Sequence, residues 1–222
     1  MAAIIPNLII LGPQGSGKST QAKLLVNRYG YLHVSTGELV RLRAKHHDKI
    51  AAKINSKMSK GQLINTDILF SDIITPYLKK NLSKRIIFDG IPRSLTQLSR
   101  FSSMIKNLGI DAPYMIYIDI PKSVIVRRIS DRLVCSACGS IYKPGQHGYK
   151  TGICPKDHKK LLKRIDDINN TALEKRLQIF TNLTKKIFPY YKKTNHFIKI
   201  DGTASVNEVD RQIRSNIKSY EY

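Results

Sequence analysis

Gly12-Pro13-Gln14-Gly15-Ser16-Gly17-Lys18-Ser19-Thr20 stands directly after the apolar run Leu8-Ile9-Ile10-Leu11 and directly before Gln21-Ala22-Lys23-Leu24-Leu25-Val26. Strand, glycine turn and helix start in that order are the setting a phosphate-binding loop requires. Glycines let successive backbone N–H groups turn inward around a phosphate, and the helix N-terminus adds positive partial charge. Lys18 supplies a point charge for the outer phosphates, and the Ser19 hydroxyl suits Mg2+. A plain glycine turn would account for the glycines but not for the Lys-Ser pair that follows. The segment therefore predicts nucleotide binding.

Further apolar, β-rich runs fall at residues 32–34, 85–88, 114–119 and 197–200, with longer helical stretches between them. This alternation predicts an α/β fold of parallel strands covered by helices on both faces, with ligands at the carboxyl ends of the strands. Ser35 and Glu38 have capping-box spacing, which predicts a helix start after the second strand. Pro121 suits the first turn of a helix running to about Leu133. On that helix Arg128 and Arg132 are four residues apart and share a face. Two like charges so placed repel unless an anion lies beside them; the alternative is a pair of solvated arginines.

The 222 residues allow one sizeable core. Lysine and arginine number 38 against 16 acidic residues, a net charge of +22. The lysines are spread along the chain with no long basic tail, which favours a solvated basic exterior with an anion-binding cleft over a nucleic-acid surface. No apolar stretch approaches the ~20 residues that span a bilayer, and the start of the chain lacks the pattern of a signal peptide. The expectation is a soluble, cytoplasmic protein with no membrane partner.

Residues 135–167 break the strand-helix rhythm and read as an insertion. Cys135-Ser136-Ala137-Cys138 is a compact metal half-site, and Cys154-Pro155-Lys156-Asp157 repeats its two-residue spacing. Tetrahedral Zn2+ takes two such pairs, and thiolates and carboxylates are both acceptable donors. Cys135, Cys138, Cys154 and Asp157 are therefore the expected ligands of a closed structural site. His158 and His147 are rival fourth ligands, and three reduced cysteines packed as small hydrophobes are the competing reading. Ligation would stabilise a segment too small for its own core.

Together these motifs resemble the adenylate kinase family, in its long form with a metal-bearing lid, over most of the chain from about residue 8 to about residue 203. The resemblance implies a P-loop NTPase-like parallel five-stranded sheet with flanking helices, a helical AMP-binding insertion at 35–64 and a zinc-bearing lid at 131–167, all within one unit. Gly15, Ser16, Gly17, Lys18, Ser19 and Thr20 would hold ATP. Ser35-Thr36-Gly37-Glu38-Leu39-Val40-Arg41 resembles the first AMP segment, with Thr36 on the nucleotide and Arg41 on its phosphate. Gln62, Leu63 and Ile64, after Gly61, resemble the wall around adenine. Asp89-Gly90-Ile91-Pro92-Arg93 followed by Gln97 is the most telling stretch: Gly90, Ile91 and Pro92 would border AMP. Arg93 would hold its phosphate, Gln97 would bond the adenine edge, and Asp89 with Ser19 would support Mg2+.

On the donor side, the resemblance implies that Arg128 lies on the ATP adenine and Arg132 reaches its phosphates. Ile141 and Tyr142 match lid positions near ATP, and Ala204, after Asp201-Gly202-Thr203, falls where the family offers backbone contacts. Arg164, in Arg164-Ile165-Asp166-Asp167, and Arg176 match arginines that contact AMP and the transferring phosphates. The sequence departs from the family at Asn65-Thr66-Asp67, in place of Pro-Asp-Glu, and at Pro144-Gly145-Gln146-His147-Gly148, in place of Phe-Asn-Pro-Pro. One residue is inserted between Asp167 and Arg176.

The implied reaction is reversible transfer from Mg-ATP to AMP, giving two ADP, in a monomer. Lys18, Arg93, Arg132, Arg164 and Arg176 would be the catalytic cations, because bringing two polyanions together is the main electrostatic cost. The rival readings are a GTP:AMP or other nucleoside monophosphate kinase and, in another class, a zinc-knot module that binds nucleic acid.

Overall fold

The computed structural model describes residues 6–82, 85–163 and 170–218. Five parallel strands make the central sheet: β1 (Leu8–Leu11), β2 (Leu32–Ser35), β3 (Ile86–Asp89), β4 (Tyr114–Asp119) and, last in the chain, β8 (Phe197–Asp201). They lie in the order β2-β3-β1-β4-β8, so β1 is central, with Ile9 in register with Phe88 on one side and Met115 on the other. All five expected strands form, within one residue or so of the expected bounds.

Side chains of a strand alternate between faces, and the sheet is apolar on both. Ile9, Leu11, Ile86, Phe88, Met115 and Tyr117 enter one core. There they meet helices α2 (Thr36–Arg43), α3 (Lys49–Ser59), α4 (Thr75–Asn81) and α5 (Leu95–Asn107). Leu8, Ile10, Ile87, Ile116 and Ile118 enter the other, against α1 (Lys18–Tyr29) and the C-terminal helix α9 (Val206–Lys218). Near-continuous apolar strands are what a sheet covered on both faces requires. Asn65 starts the segment leading to α4: its Oδ1 accepts the N–H groups of Asp67 and Ile68. The Asn65-Thr66-Asp67 departure thus supplies a helix cap of its own.

One local expectation holds without its capping bonds, and one is corrected. Ser35 does precede α2, yet its side chain makes no capping hydrogen bond, and Glu38 instead pairs with Lys23 at 3.7 Å. The helix after Pro121, α6 (Lys122–Ser130), stops three residues short of Leu133 because the chain turns there into β5 (Leu133–Cys135). Arg132 therefore lies beyond the helix, and tertiary folding rather than helical spacing sets its position relative to Arg128.

Strand β5 belongs to a separate antiparallel sheet with β6 (Ile141–Tyr142) and β7 (Leu161–Leu162), in the order β6-β5-β7. Its own core is small: Cys135, Tyr142, Cys154 and Leu161 are buried, with Leu133 and Tyr149 packed against them. Helices α7 (Asn170–Asn182) and α8 (Phe188–Lys193) return the chain to β8. No helix among the described residues is long and apolar enough to cross a membrane.

Candidate active site

One cleft opens above the carboxyl ends of β1, β2 and β3, bounded by the glycine loop, α2, the end of α3, α7 and the small antiparallel sheet. The loop curls because Gly15 and Gly17 adopt φ of 80° and 96°, a left-handed conformation that a side chain disfavours. Lys18 is the first residue of α1, and its ammonium donates to the Pro13 carbonyl at 3.0 Å, folded over the loop it serves. Gly15, Gly17, Lys18, Ser19 and Thr20 line the cleft. The Ser16 side chain does not; it is buried, with an Oγ that has no hydrogen-bond partner.

Asp89, at the end of β3, is buried beside the loop. Burial opposes its ionisation, but hydrogen bonds from His33 and Ser19 and the charge of Lys18 outweigh that and hold the carboxyl below its usual range. Its Oδ2 lies 3.3 Å from His33 Nε2. A buried, ionised carboxylate next to a serine hydroxyl is a donor set that suits a hard cation such as Mg2+.

Four residues past Asp89, the Arg93 guanidinium donates through Nε to the Gly90 carbonyl at 2.6 Å, while Thr184 holds its backbone carbonyl from the other side. Burial lowers the Arg93 pKa and Asp89 counters it, whereas the nearby charges of Arg176 and Arg41 lower it further. Arg176 donates to Gln14 Oε1 at 3.1 Å and to the Met58 carbonyl at 3.4 Å, so it ties the glycine loop to α3. Three arginines thus face one small volume, which is the electrostatic signature of a phosphate site.

The base-binding expectations meet a shaped wall. Gln62, Leu63, Ile64, Thr36, Gly90 and Gln97 line the cleft. The Thr36 Oγ1 is buried without a partner. Gln97 Oε1 accepts the Arg93 N–H at 2.8 Å, which leaves its Nε2 as a donor. Ile91 and Pro92 do not reach the cleft; both are buried, Ile91 in the core under β3.

Gly61 fixes how α3 meets this wall. Its φ is 63°, its N–H bonds the Met58 carbonyl and the Gln62 N–H bonds the Lys57 carbonyl, the paired closure of a Schellman motif. A Cβ there would stand 2.4 Å from the Ala172 carbonyl oxygen of α7. Gly61→Ala is expected to cost about 1–2 kcal/mol for the left-handed backbone alone, plus the displacement of α3 from α7. Thermal melts should show the loss.

Across the cleft stand Arg128, Arg132, Ile141 and Lys143. The Arg128 guanidinium reaches the Thr203 carbonyl at 3.5 Å. Tyr142 faces the other way: its hydroxyl lies 3.1 Å from Cys154 Sγ, a contact that together with burial pushes it up to about 12. Ala204 packs against the core of α1 and α9 and does not line the cleft. Arg164 lies outside the described residues.

Beneath that sheet, ligand atoms of Cys135, Cys138, Cys154 and Asp157 all lie within 4.8 Å of one another. Zn–S bonds of about 2.3 Å in a tetrahedron set sulfurs about 3.8 Å apart, and Cys138 Sγ and Cys154 Sγ are separated by 3.7 Å. Both Asp157 oxygens lie 3.2 Å from Cys135 Sγ. The donor set therefore fits a tetrahedral ion, and neither His147 nor His158 belongs to it.

Sequence reasoning missed Lys143, Gln14, the Met58 carbonyl and Thr184. Lys143 carried a usable signal: in a short strand Ile141 and Lys143 fall on one face and Tyr142 on the other. The other three act through folded contacts at long sequence separation, 162 residues for Gln14 and 91 for Thr184, and left no local trace.

Comparison with known proteins agrees with this geometry. A family model described as adenylate kinase matches residues 10–196. The chain is similar to an adenylate kinase of Kosmotoga olearia, 33% identical over 96% of this chain and 99% of the relative. It is likewise similar to adenylate kinases of Clostridium tetani, 33% identical over 95% and 97%, and of Pyrococcus horikoshii, 35% identical over 94% of each.

Proposed function

The chain belongs to the adenylate kinase family, and from that premise we propose that it catalyses reversible phosphoryl transfer from Mg-ATP to AMP, giving two ADP, as a cytoplasmic monomer. The observation that carries the reading is the pairing, in one cleft, of a glycine loop with Lys18 and a second cationic group of Arg41, Arg93 and Arg176. One group cradles the donor phosphates and the other takes the acceptor phosphate, so the attacking AMP oxygen meets the ATP γ-phosphorus in line.

Lys18 and Arg132 would neutralise charge as it shifts to the leaving ADP, and Arg93, Arg176 and Arg164 would hold the acceptor and the transferring group. Ser19 and Asp89 would hold Mg2+ and its waters, and the ion would supply charge neutralisation to the donor phosphates. Segments 35–64 and 131–167 would close over AMP and ATP, excluding the water that would otherwise accept the phosphoryl group. Cys135, Cys138, Cys154 and Asp157 would bind a structural Zn2+, since four protein ligands leave no open position for chemistry.

Gln97 argues for AMP as acceptor. Its carbonyl is already engaged by Arg93, so it offers the pocket a donor. Adenine presents N1 as an acceptor on its Watson–Crick edge, whereas guanine presents an N–H there. Two facing donors leave a buried group unsatisfied at about 1–3 kcal/mol, or roughly 5- to 150-fold in affinity. The test is incubation with Mg-ATP and each of AMP, CMP, UMP and GMP, followed by phosphorus NMR, then AMP with GTP as donor. Rapid ADP formation from ATP and AMP, at least about fivefold faster than transfer to GMP, is expected; no transfer to any monophosphate by the folded protein overturns the reading.

A further inference from the structure

Arg93 and Arg176 reach the acceptor side of the cleft from separate elements, the turn between β3 and α5 for one and α7 for the other. Thr184 lies just beyond α7, where it opens a short turn of helix, Thr184–Ile187. Arg176, Phe180 and Thr184 follow one another at four-residue spacing and all line the cleft. Thr184 is only 1% exposed, and its Oγ1 donates to the Arg93 carbonyl at 3.0 Å. Two further bonds hold Arg93: its N–H donates to Gln97 Oε1 at 2.8 Å and its Nε to the Gly90 carbonyl at 2.6 Å. Gly90 and Gln97 belong to the same segment as Arg93. Of the three bonds, the one from Thr184 alone crosses to the element that carries Arg176.

That crossing matters because the two arginines repel. The charge of Arg176 works against the ionised form of Arg93, and the repulsion pushes their elements apart while no anion lies between them. Cations stabilise a developing charge best when they are held in place beforehand, so that no reorganisation is needed during the reaction. The end of α7 is itself anchored: Ile187 and Phe188 enter the core beside Leu98 and Phe101 of α5. Apolar packing is non-directional, whereas a hydrogen bond from a buried hydroxyl fixes both distance and angle. A site that needed only volume here would accept valine, which has the shape of threonine without the donor.

We propose that Thr184 is a positioning residue for phosphoryl transfer: its hydroxyl locks the Arg93 backbone to the end of α7, so that Arg93 and Arg176 keep their separation across the acceptor phosphate. The role rests on the acceptor-site reading above and adds a residue to it. Its proton is committed to the Arg93 carbonyl, so Thr184 acts through Arg93 and not on the substrate. Without that bond the β3–α5 turn keeps its two local bonds but loses its registration against α7. Displacements on the scale of 1 Å in a positioned group cost up to about 100-fold in rate.

Steady-state kinetics of Thr184→Val should show kcat lowered about tenfold and the KM for AMP raised about fivefold, with the KM for ATP within about twofold of wild type. Thr184→Ser, which keeps the hydroxyl, should recover most of both losses. Introduced into Arg93→Ala, Thr184→Val should cost less than about twofold more, because the side chain it positions is gone. A merely structural threonine would give the same loss with and without the Arg93 side chain and would raise both KM values alike; either result overturns the proposal. Thermal melts confirm that each variant is folded at the assay temperature, and Thr184→Ala, with the same expectations, takes the place of a valine variant that fails to fold. A kcat and an AMP KM within about twofold of wild type in folded Thr184→Val overturn the positioning role and leave the kinase reading intact. A folded wild type that forms no ADP overturns the kinase reading itself.

Discussion

Lys18→Met and Arg93→Ala are each expected to lower kcat about 1,000-fold, the range found when one preorganised cation or donor is removed from a phosphoryl-transfer site. Neither should unfold the protein. Methionine keeps the length and helix propensity of Lys18 at the first position of α1, and what it loses is a hydrogen bond to the Pro13 carbonyl of its own loop. It also withdraws one of the influences that keep Asp89 ionised, so the Mg2+ requirement should rise together with the loss in rate. Arg93→Ala relieves repulsion with Arg41 and Arg176 while leaving Asp89 its bonds from His33 and Ser19. Initial rates of ADP formation, with thermal melts as the control for folding, check both. A variant within tenfold of wild type would remove that side chain from the transferring charge.

Stripping the metal, or replacing Cys154 by Ser, is expected to unfold the small sheet while the five-stranded sheet persists. Four buried side chains and a few strand hydrogen bonds cannot hold some thirty residues against their conformational entropy. A Zn2+ ion in a Cys3Asp set supplies on the order of 10 kcal/mol. Cys154 is fully buried at the centre of the set, within reach of both Cys138 and the Tyr142 hydroxyl, so its loss affects ligand and core together. Hydrogen exchange over residues 133–162 should lose protection on chelation, and metal content should fall toward zero in parallel. Because Arg132 and Lys143 flank strands β5 and β6 of that sheet, the KM for ATP should rise as well. Unchanged exchange after complete metal removal would refute a structural metal.

The elements legible in the sequence were those whose signal is local. The glycine loop could be read because left-handed turns, a helix start and a phosphate charge demand particular residues at fixed spacing, and the structure has them at Gly15, Gly17 and Lys18. The five strands were visible because burial on both faces makes each run almost uniformly apolar. The Cys-x-x-Cys and Cys-x-x-Asp pairs were legible as a candidate metal set because ligand spacing is itself a local constraint. The capping-box pattern at Ser35 located the helix start correctly, although the side chains do not cap it: Ser35 makes no capping hydrogen bond and Glu38 pairs with Lys23 on another helix.

What lay beyond the sequence was direction and company. Spacing set Arg128 and Arg132 on one helix face; the fold ended the helix at Ser130 and left Arg132 in the turn just before β5. Only the packed chain sends Tyr142 inward to Cys154 and Lys143 outward to the cleft, brings Arg176 to Gln14, and turns the Gln97 carbonyl onto Arg93 so that a donor is left for the base. The chemistry of each residue is a property of the sequence. Which charges share a volume, and hence where an anion must go, is decided by contacts between residues far apart in the chain, because burial and repulsion act through space.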